Sequence, residues 1–217
     1  MSIEHKEIAA IREDYVKSSL SESDVQKNPI QQFQKWFDEA MSSQVTEPTA
    51  MVVSTVAENG YPSSRVVLLK DIKAEGLSFF TNYNSRKGQE IIQNPHVSAL
   101  FFWPELQRQV RFEAEVEKLP KADSDEYFSI RPRGSQIGAI ASPQSAIIPD
   151  RETLEKRVAE VEKEMENITE VPRPEFWGGF LLKPVRVEFW QGRGSRLHDR
   201  IVYIMDNGDW TINRLAP

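Results

Sequence analysis

Cysteine is absent from this chain, and histidine is scarce. Without cysteine there are no disulfides and no thiolate metal sites, and nothing indicates an oxidising compartment. The three histidines, at positions 5, 96 and 198, lie far apart in sequence and without helical pairing. We therefore do not expect a histidine-based metal centre.

Long apolar runs are also missing. No stretch approaches the ~18 apolar residues of a membrane span, and the N-terminus, M-S-I-E-H-K-E, lacks a signal-peptide core. We therefore expect a cytoplasmic protein with no membrane partner. The net charge of −6 argues against nucleic acid as a partner, because a phosphate backbone favours a basic surface.

Several common nucleotide and catalytic motifs do not occur. The sequence has no G-x-G-x-x-G, no Walker loop and no G-x-S-x-G. Dinucleotide and nucleoside triphosphate binding by those routes is thus unsupported. The 217 residues, 39% hydrophobic and 28% charged, suit a globular protein, and no repeat or linker divides them, so we expect one domain over residues 1–217.

Short apolar runs separated by turn signals indicate a mainly β, antiparallel fold with flanking helices. The expected strands cover residues 49–56, 64–70, 77–81, 97–102 and 109–119, followed by strands near the C-terminus with a hairpin turn at residues 206–209. Helical spacing predicts a first helix over residues 3–17, and Asn28-Pro29 predicts the start of a second. Further helices are expected after Ser85, over 121–130 and from Pro149.

The segment 188–200, E-F-W-Q-G-R-G-S-R-L-H-D-R, predicts a β-hairpin with its turn at 192–195. On a strand, Arg196, His198 and Arg200 would share one face, where they repel one another unless an anion lies between them. A solvated, arginine-rich hairpin tip is the alternative. Trp190, just before the turn, and the histidine within the cluster favour a functional site.

Cations recur in three other segments. S-R-K at 85–87 opens a helix, where a serine cap, backbone N–H groups and two cations favour an anion. R-P-R-G-S at 131–135 predicts a stiff, donor-rich loop, although an ordinary surface loop is an alternative. Arg65 and Lys70 flank an apolar run that could also be a core strand with solvated ends.

These motifs resemble those of the pyridoxine (pyridoxamine) 5′-phosphate oxidase family. The resemblance runs from about residue 12 to the C-terminal R-L-A-P and includes R-V-V-L-L-K, S-R-K, R-Q-V, Y-F-x-x-R-P-R-x-S, Q-S and R-L-H-D-R, in the family's order. It implies an FMN-binding split β-barrel and a homodimer with flavin sites between subunits. It also implies that residues 1–20 close over the substrate.

The resemblance further implies roles for particular residues. The implied FMN contacts are Arg65, Val66, Val67, Leu68, Leu69, Lys70, Phe80, Thr81, Arg86, Lys87, Gln109, Gln144, Ser145, Trp190 and Arg200. The implied substrate contacts are Lys70, Tyr127, Arg131, Ser135, Arg196, Leu197, His198, Arg12 and Tyr15, with Arg196 and His198 as the catalytic pair. The chain departs from the family pattern at Glu13, a charge reversal, and at Gly134, where an acidic residue is common.

The reaction implied by the resemblance is oxidation of pyridoxine or pyridoxamine 5′-phosphate to pyridoxal 5′-phosphate. A hydride passes from substrate C4′ to flavin N5, and O2 reoxidises the flavin to give H2O2, with NH3 released from the amine. Arg196 and His198 would position C4′ and assist proton removal. The alternatives are a related split-barrel oxidase of the phenazine type and a non-catalytic carrier of flavin or pyridoxal phosphate.

Overall fold

The computed structural model describes residue 15 and residues 17–217. The predicted helix over 3–17, apart from its residues 15 and 17, and the predicted substrate contact Arg12 therefore lie outside the described residues. The described part has the α-helices α1 Pro29–Ser42, α2 Arg86–Gln93, α3 Lys121–Ser129, α4 Arg133–Ala141 and α5 Arg151–Glu164. Its strands are β1 Ala50–Val56, β2 Pro62–Leu68, β3 Asp71–Lys73, β4 Gly76–Asn82, β5 His96–Trp103, β6 Arg108–Lys118, β7 Trp177–Gln191, β8 Asp199–Asp206 and β9 Asp209–Arg214.

The chain divides into two compact units. The first unit comprises the described residues up to Pro48 together with Leu100–Phe112 and Arg186–Pro217, and the second comprises Thr49–Ala99 and Glu113–Val185. Strands β5, β6 and β7 contribute residues to both units. The expectation of a single domain over residues 1–217 stays a prediction.

The second unit is built on a sheet whose strands follow the order β2-β1-β5-β6-β7-β4-β3. Strands β1 and β2 pair antiparallel, as do β3 with β4 and β4 with β7. The register of the first pair places Arg65 opposite Val53. These pairings are antiparallel, and the described helices lie before and between the strands in sequence. The predicted fold class, mainly β and antiparallel with flanking helices, is confirmed.

The first unit holds the C-terminal hairpins. The end of β7 pairs antiparallel with β8, and β8 pairs with β9. Asn207 and Gly208 join β8 to β9 with φ values of 50° and 92°. Positive φ at both central residues is the geometry that asparagine–glycine turns adopt in hairpins. The hairpin turn predicted at residues 206–209 is confirmed.

Helix α1 packs its aromatic face into the core of the first unit. The ring of Phe33 lies 4.9 Å from that of Phe101 and 5.2 Å from that of Phe112. Asn28 caps the helix, since its Oδ1 accepts a hydrogen bond from the Ile30 N–H at 2.8 Å. The predicted start of this helix is therefore confirmed, with the capping that asparagine supplies best.

The prediction of a loop at R-P-R-G-S is wrong for its last three residues. Helix α4 starts at Arg133, so Ser135 lies in its first turn. The helix is stabilised by burial, because Ile137 and Ala141 pack with Val161 of α5. That contact joins segments far apart in sequence, and local turn signals do not report it.

No helix in the described part of the chain is long and apolar enough to cross a membrane. In the same residues, no group of three or more histidine, aspartate or glutamate side chains could hold a metal ion.

Candidate functional site

The second unit contains a cavity of about 1010 Å³. This is the size of known small-molecule sites, which run from ~300 to ~1,000 Å³. The predicted site residues that line it are Arg65, Val66, Val67, Leu68, Lys70, Phe80, Thr81, Arg86, Lys87, Tyr127, Arg131, Ser135, Gln144 and Ser145. The structure thus brings together predicted residues from separate segments between positions 65 and 145. Leu69, also predicted as a cofactor contact, is buried and does not line this cavity, so its role stays a prediction.

The cavity carries a strong excess of positive charge. Five of its lining residues are cationic, and none of the described lining residues is Asp or Glu. The carboxylate of Glu90 lies nearby, 2.8 Å from Nε of Arg86 and 3.5 Å from Nη2 of Arg65. One carboxylate cannot balance five cations, so the cavity favours an anionic ligand.

Lys87 shows where an anion fits. Its Nζ donates to two neutral acceptors, Oγ1 of Thr81 at 3.1 Å and Oε1 of Gln144 at 3.2 Å. Burial, together with the charge of Arg65, lowers the pKa of Lys87. A phosphate group would offset both effects, because a charge-assisted hydrogen bond is stronger than a neutral one. Ser85 caps the same helix by accepting from the Gly88 N–H at 3.2 Å, as predicted.

Arg131 has an unused donor. Its guanidinium carbon lies 4.5 Å from the Trp177 ring centre, and its Nη1 is buried with no hydrogen-bond partner among the described residues. Burial lowers the pKa of Arg131. Leaving a buried charged donor unpaired is costly, so the geometry is ready for an acceptor that none of the described residues supplies.

Stacked aromatic rings form one wall of the cavity. The ring of Phe80 lies 4.0 Å from that of Tyr127 and 5.5 Å from that of Trp177, with interplanar angles of 16° and 12°. All three residues line the cavity. Their stacking fixes the Tyr127 hydroxyl and the Trp177 face that holds Arg131, which limits the entropy lost on binding.

Glu90 organises the cationic side and was missed by sequence reasoning. Its carboxylate accepts from Ser63 at 2.7 Å and also from Thr55, while Arg86 pairs with its other oxygen. Burial by itself raises the pKa of Glu90, but the hydrogen bonds from Thr55, Ser63 and Arg86 hold that pKa at about 2. The spacing of Arg86 and Glu90, four residues apart on a helix, was the signal available in the sequence.

We expect the free energy of unfolding of Glu90→Gln to fall less at acid pH than that of the wild-type protein. The pKa of Glu90 in the folded protein is lowered from 4.5 to about 2. The ionised carboxylate therefore contributes fully to the free energy of unfolding above pH 4.5, and this contribution is lost as the pH falls towards 2. The wild-type protein should lose up to about 3 kcal/mol more free energy of unfolding than the variant between pH 6 and pH 2, measured by urea denaturation. The exposed pair Arg151–Glu155 supplies the control, Glu155→Gln, which should behave as wild type. If wild type and Glu90→Gln lost the same free energy of unfolding between pH 6 and pH 2, the stabilising role of the Glu90 carboxylate would be wrong.

The remaining predicted residues that the structure describes lie in the first unit, and one expectation about them is wrong. Arg196, His198 and Arg200 do not share a strand face, because β8 begins only at Asp199. Arg196 instead ends a short 3-10 turn, Gly194–Arg196. Ser195 and Arg196 have φ values of 56° and 61°, and two left-handed residues in succession interrupt the extended chain. Gln109 lies in β6 and is half-buried, and Leu197 is exposed.

His198 packs in an aromatic cluster of the first unit. Its ring centre lies 4.6 Å from that of Trp190 and 5.8 Å from that of Tyr15, while Tyr15 meets Trp190 edge-on at 5.7 Å. Gly192 makes this packing possible, since a Cβ there would lie 2.8 Å from the Tyr15 side chain. Burial and the charge of Arg196 lower the pKa of His198.

Arg200 is held by a buried acid that sequence reasoning also missed. Its Nε and Nη2 donate to the two carboxylate oxygens of Glu188 at 2.9 and 3.1 Å, and Nη1 donates to the Ala216 carbonyl at 2.8 Å. The Glu188 side chain is only 5% exposed. This two-pronged pair fixes the guanidinium plane. The predicted flavin contact of Arg200 stays a prediction.

Two family models match this chain. The model for "Pyridoxamine 5′-phosphate oxidase" matches residues 37–164, and that for "Pyridoxine 5′-phosphate oxidase C-terminal dimerisation region" matches residues 177–217. The pyridoxine/pyridoxamine 5′-phosphate oxidase of Nostoc punctiforme is 52% identical over 213 residues, 98% of this chain and 99% of the relative. That of a Janthinobacterium species is 53% identical over 211 residues, 97% and 99% of the two chains.

Solved structures agree on the fold. PhzG from Burkholderia lata 383, in complex with tetrahydrophenazine-1-carboxylic acid, aligns with a TM-score of 0.85 and 31% identity, covering 90% of this chain and 95% of that one. An FMN-binding protein of Nostoc punctiforme related to pyridoxamine 5′-phosphate oxidase aligns with a TM-score of 0.68 at 16% identity, covering 85% and 97%, which bears on the fold alone. Fold and relatives define an oxidase of the split-barrel class. The chain belongs to the pyridoxine/pyridoxamine 5′-phosphate oxidase family, as its motifs predicted.

Proposed function

We propose that this protein is an FMN-dependent oxidase that converts pyridoxine 5′-phosphate or pyridoxamine 5′-phosphate to pyridoxal 5′-phosphate with O2. The observation that carries the proposal is the cavity in the second unit, where five cations meet and no described lining residue is acidic. Two monophosphate groups, one from the flavin and one from the substrate, would neutralise these cations. Relatives about half identical over nearly their full length support the same reaction.

The residues around Lys87 suit the phosphate of FMN. Arg65, Arg86 and Lys87 supply charge, and Gln144 and Ser145 supply polar atoms at the same end of the cavity. We assign these residues to the cofactor phosphate, and Val66, Val67, Leu68, Phe80 and Thr81 to the wall along the flavin. The bound FMN would supply the redox chemistry, taking up a hydride from substrate C4′ and returning the electrons to O2 as H2O2.

The residues around Arg131 suit the phosphate of the substrate. Arg131, whose Nη1 has no partner among the described residues, lines the cavity together with Tyr127, Lys70 and Ser135. Their function is capture and orientation, because holding the reactants in a productive geometry is itself a large part of the rate acceleration. Arg131 is already fixed on the Trp177 ring, so little side-chain freedom is lost on binding.

We assign the residues of the first unit to the reacting end of the substrate and to the flavin ring. Arg196 and His198 position C4′, with Tyr15, Leu197 and the undescribed Arg12 as further substrate contacts. Gln109, Trp190 and Arg200 are the proposed flavin-ring contacts. The match of residues 177–217 to a dimerisation region supports a homodimer, and we propose that the flavin sites lie between its subunits.

A second candidate function has one specific observation in its favour. The PhzG structure aligns over 90% of this chain with a TM-score of 0.85, which supports an oxidase of the phenazine type on fold grounds. Its sequence identity is 31%, against 52% for the vitamin B6 oxidase of Nostoc punctiforme. The identity favours the vitamin B6 reaction.

The purified protein should be yellow and should contain about one FMN per chain. With pyridoxine 5′-phosphate and O2 it should form the aldehyde, followed by absorbance, together with an equal amount of H2O2. Unphosphorylated pyridoxine is the matched control and should react poorly, since the proposed phosphate contacts are lost. Turnover of tetrahydrophenazine-1-carboxylic acid, but not of the phosphorylated vitamers, would overturn the proposal in favour of the second candidate.

A further inference from the structure

The two ring nitrogens of His198 have different surroundings. Nδ1 accepts a hydrogen bond from the backbone N–H of Arg193 at 3.1 Å. A ring nitrogen that accepts a hydrogen bond carries no proton, so the neutral ring has its proton on Nε2. Among residue 15 and residues 17–217, no group accepts a hydrogen bond from the Nε2–H.

The donor to Nδ1 is itself fixed. Nη1 of Arg193 donates to Oδ2 of Asp199 at 3.0 Å, and the Leu20 N–H donates to the same oxygen at 3.1 Å. The other oxygen of Asp199 accepts from Nη1 of Arg214 at 2.8 Å. Because Asp199 is tied to three segments, the turn that aims the Arg193 N–H at His198 is held in place. This N–H would have to move away if Nδ1 took up a proton.

The remaining neighbours of His198 also favour the neutral ring. The rings of Trp190 and Tyr15 pack on it, and the charge that acts on it among the described residues is the guanidinium of Arg196. A low-polarity face and a nearby cation both disfavour a second positive charge. The carboxylate of Asp199 does not offset this, since it is engaged by Arg193 and Arg214.

We propose that His198 acts as a fixed hydrogen-bond donor, presenting Nε2–H to an acceptor atom of the bound substrate, and does not take up the proton released in the reaction. This deepens the role assigned above and rests on the proposed function. It also revises the expectation from sequence that His198 assists proton removal, since a ring whose Nδ1 is engaged and whose Nε2 carries a proton has no free basic site.

The tautomer is measurable without turnover. The chain has only three histidines, so 15N–1H correlation spectra of the purified holoprotein at pH 7.5 should show few ring systems. The His198 signals are identified by their loss in His198→Gln. We expect a protonated Nε2 and an unprotonated Nδ1. A proton on Nδ1, an average of both tautomers or a charged ring would overturn the proposal. If the wild-type protein fails to oxidise pyridoxine 5′-phosphate, the proposed function fails, but this spectrum still decides the tautomer.

Two variants distinguish a role of His198 as a hydrogen-bond donor from a role as a base in catalysis. The Gln amide reaches roughly the position of Nε2 and can donate there, whereas the shorter Asn amide reaches that of Nδ1. We expect His198→Gln to retain kcat/KM within about tenfold of wild type, and His198→Asn to lose about 10- to 100-fold more, the value of one hydrogen bond to a charged or strongly polar group. The pH–rate profiles of wild type and His198→Gln should have the same shape. A base role predicts the opposite: both variants equally impaired, and an acid limb in the wild type that His198→Gln lacks.

Discussion

Replacing Arg196 with alanine should lower kcat about 100-fold or more while FMN remains bound. Arg196 lies at the end of the turn Gly194–Arg196, with a positive φ of 61°. A long side chain held in a left-handed backbone conformation is typical of a residue positioned for a ligand. Its loss would leave the reacting carbon misaligned, and a misplacement of about 1 Å can cost about 100-fold in rate.

Steady-state kinetics at saturating substrate and the flavin absorbance of the purified variant measure the two halves of this prediction. Arg151→Ala is the control, because Arg151 is a highly exposed arginine on helix α5. An unchanged kcat in Arg196→Ala would remove Arg196 from the reaction. Loss of flavin would instead assign it to cofactor binding.

Arg131→Ala should raise KM for pyridoxine 5′-phosphate about 10- to 100-fold. The guanidinium presents a buried Nη1 that has no partner among the described residues, and a charged hydrogen bond to phosphate is worth about 1.5–3 kcal/mol. Because the lost contact is to the phosphate and not to the reacting carbon, kcat should change much less than KM.

The chain offers a matched control two residues further along. Arg133 is exposed and donates to the Ile168 carbonyl at 2.9 Å, so Arg133→Ala should leave KM for the substrate near the wild-type value. A second control is unphosphorylated pyridoxine, for which wild type and Arg131→Ala should be equally poor. If Arg131→Ala and Arg133→Ala shifted KM equally, the phosphate role of Arg131 would be wrong.

Local patterns predicted most of the strands and helix starts correctly. Alternation, the Asn28 and Ser85 caps and the Asn207-Gly208 turn are encoded within a few residues, and the structure has all of them. The hairpin of β7 and β8 was also predicted, but extending strand alternation back to Arg196 was wrong. Left-handed backbone at two non-glycine residues leaves no reliable signal in a sequence.

Apart from the Arg86–Glu90 spacing on its helix, the contacts of the acids that organise the cations could not be predicted, for a different reason. Glu90 pairs with Thr55, 35 positions away, and Asp199 accepts from Leu20, 179 positions away. Such pairs depend on the folded sheet, and a single sequence shows only which residues are charged. The motifs identified the cations through a family resemblance, while the partners that lie far away in sequence appeared only in three dimensions.

The unbalanced cations of the cavity have a practical consequence for handling the protein. A site that holds five cations and no lining acid among its described residues attracts any small dissolved dianion. Inorganic phosphate or sulfate in a purification buffer would therefore compete with the vitamers and would also raise the melting temperature by mass action. Affinities are best compared in buffers of monovalent anions at one fixed ionic strength.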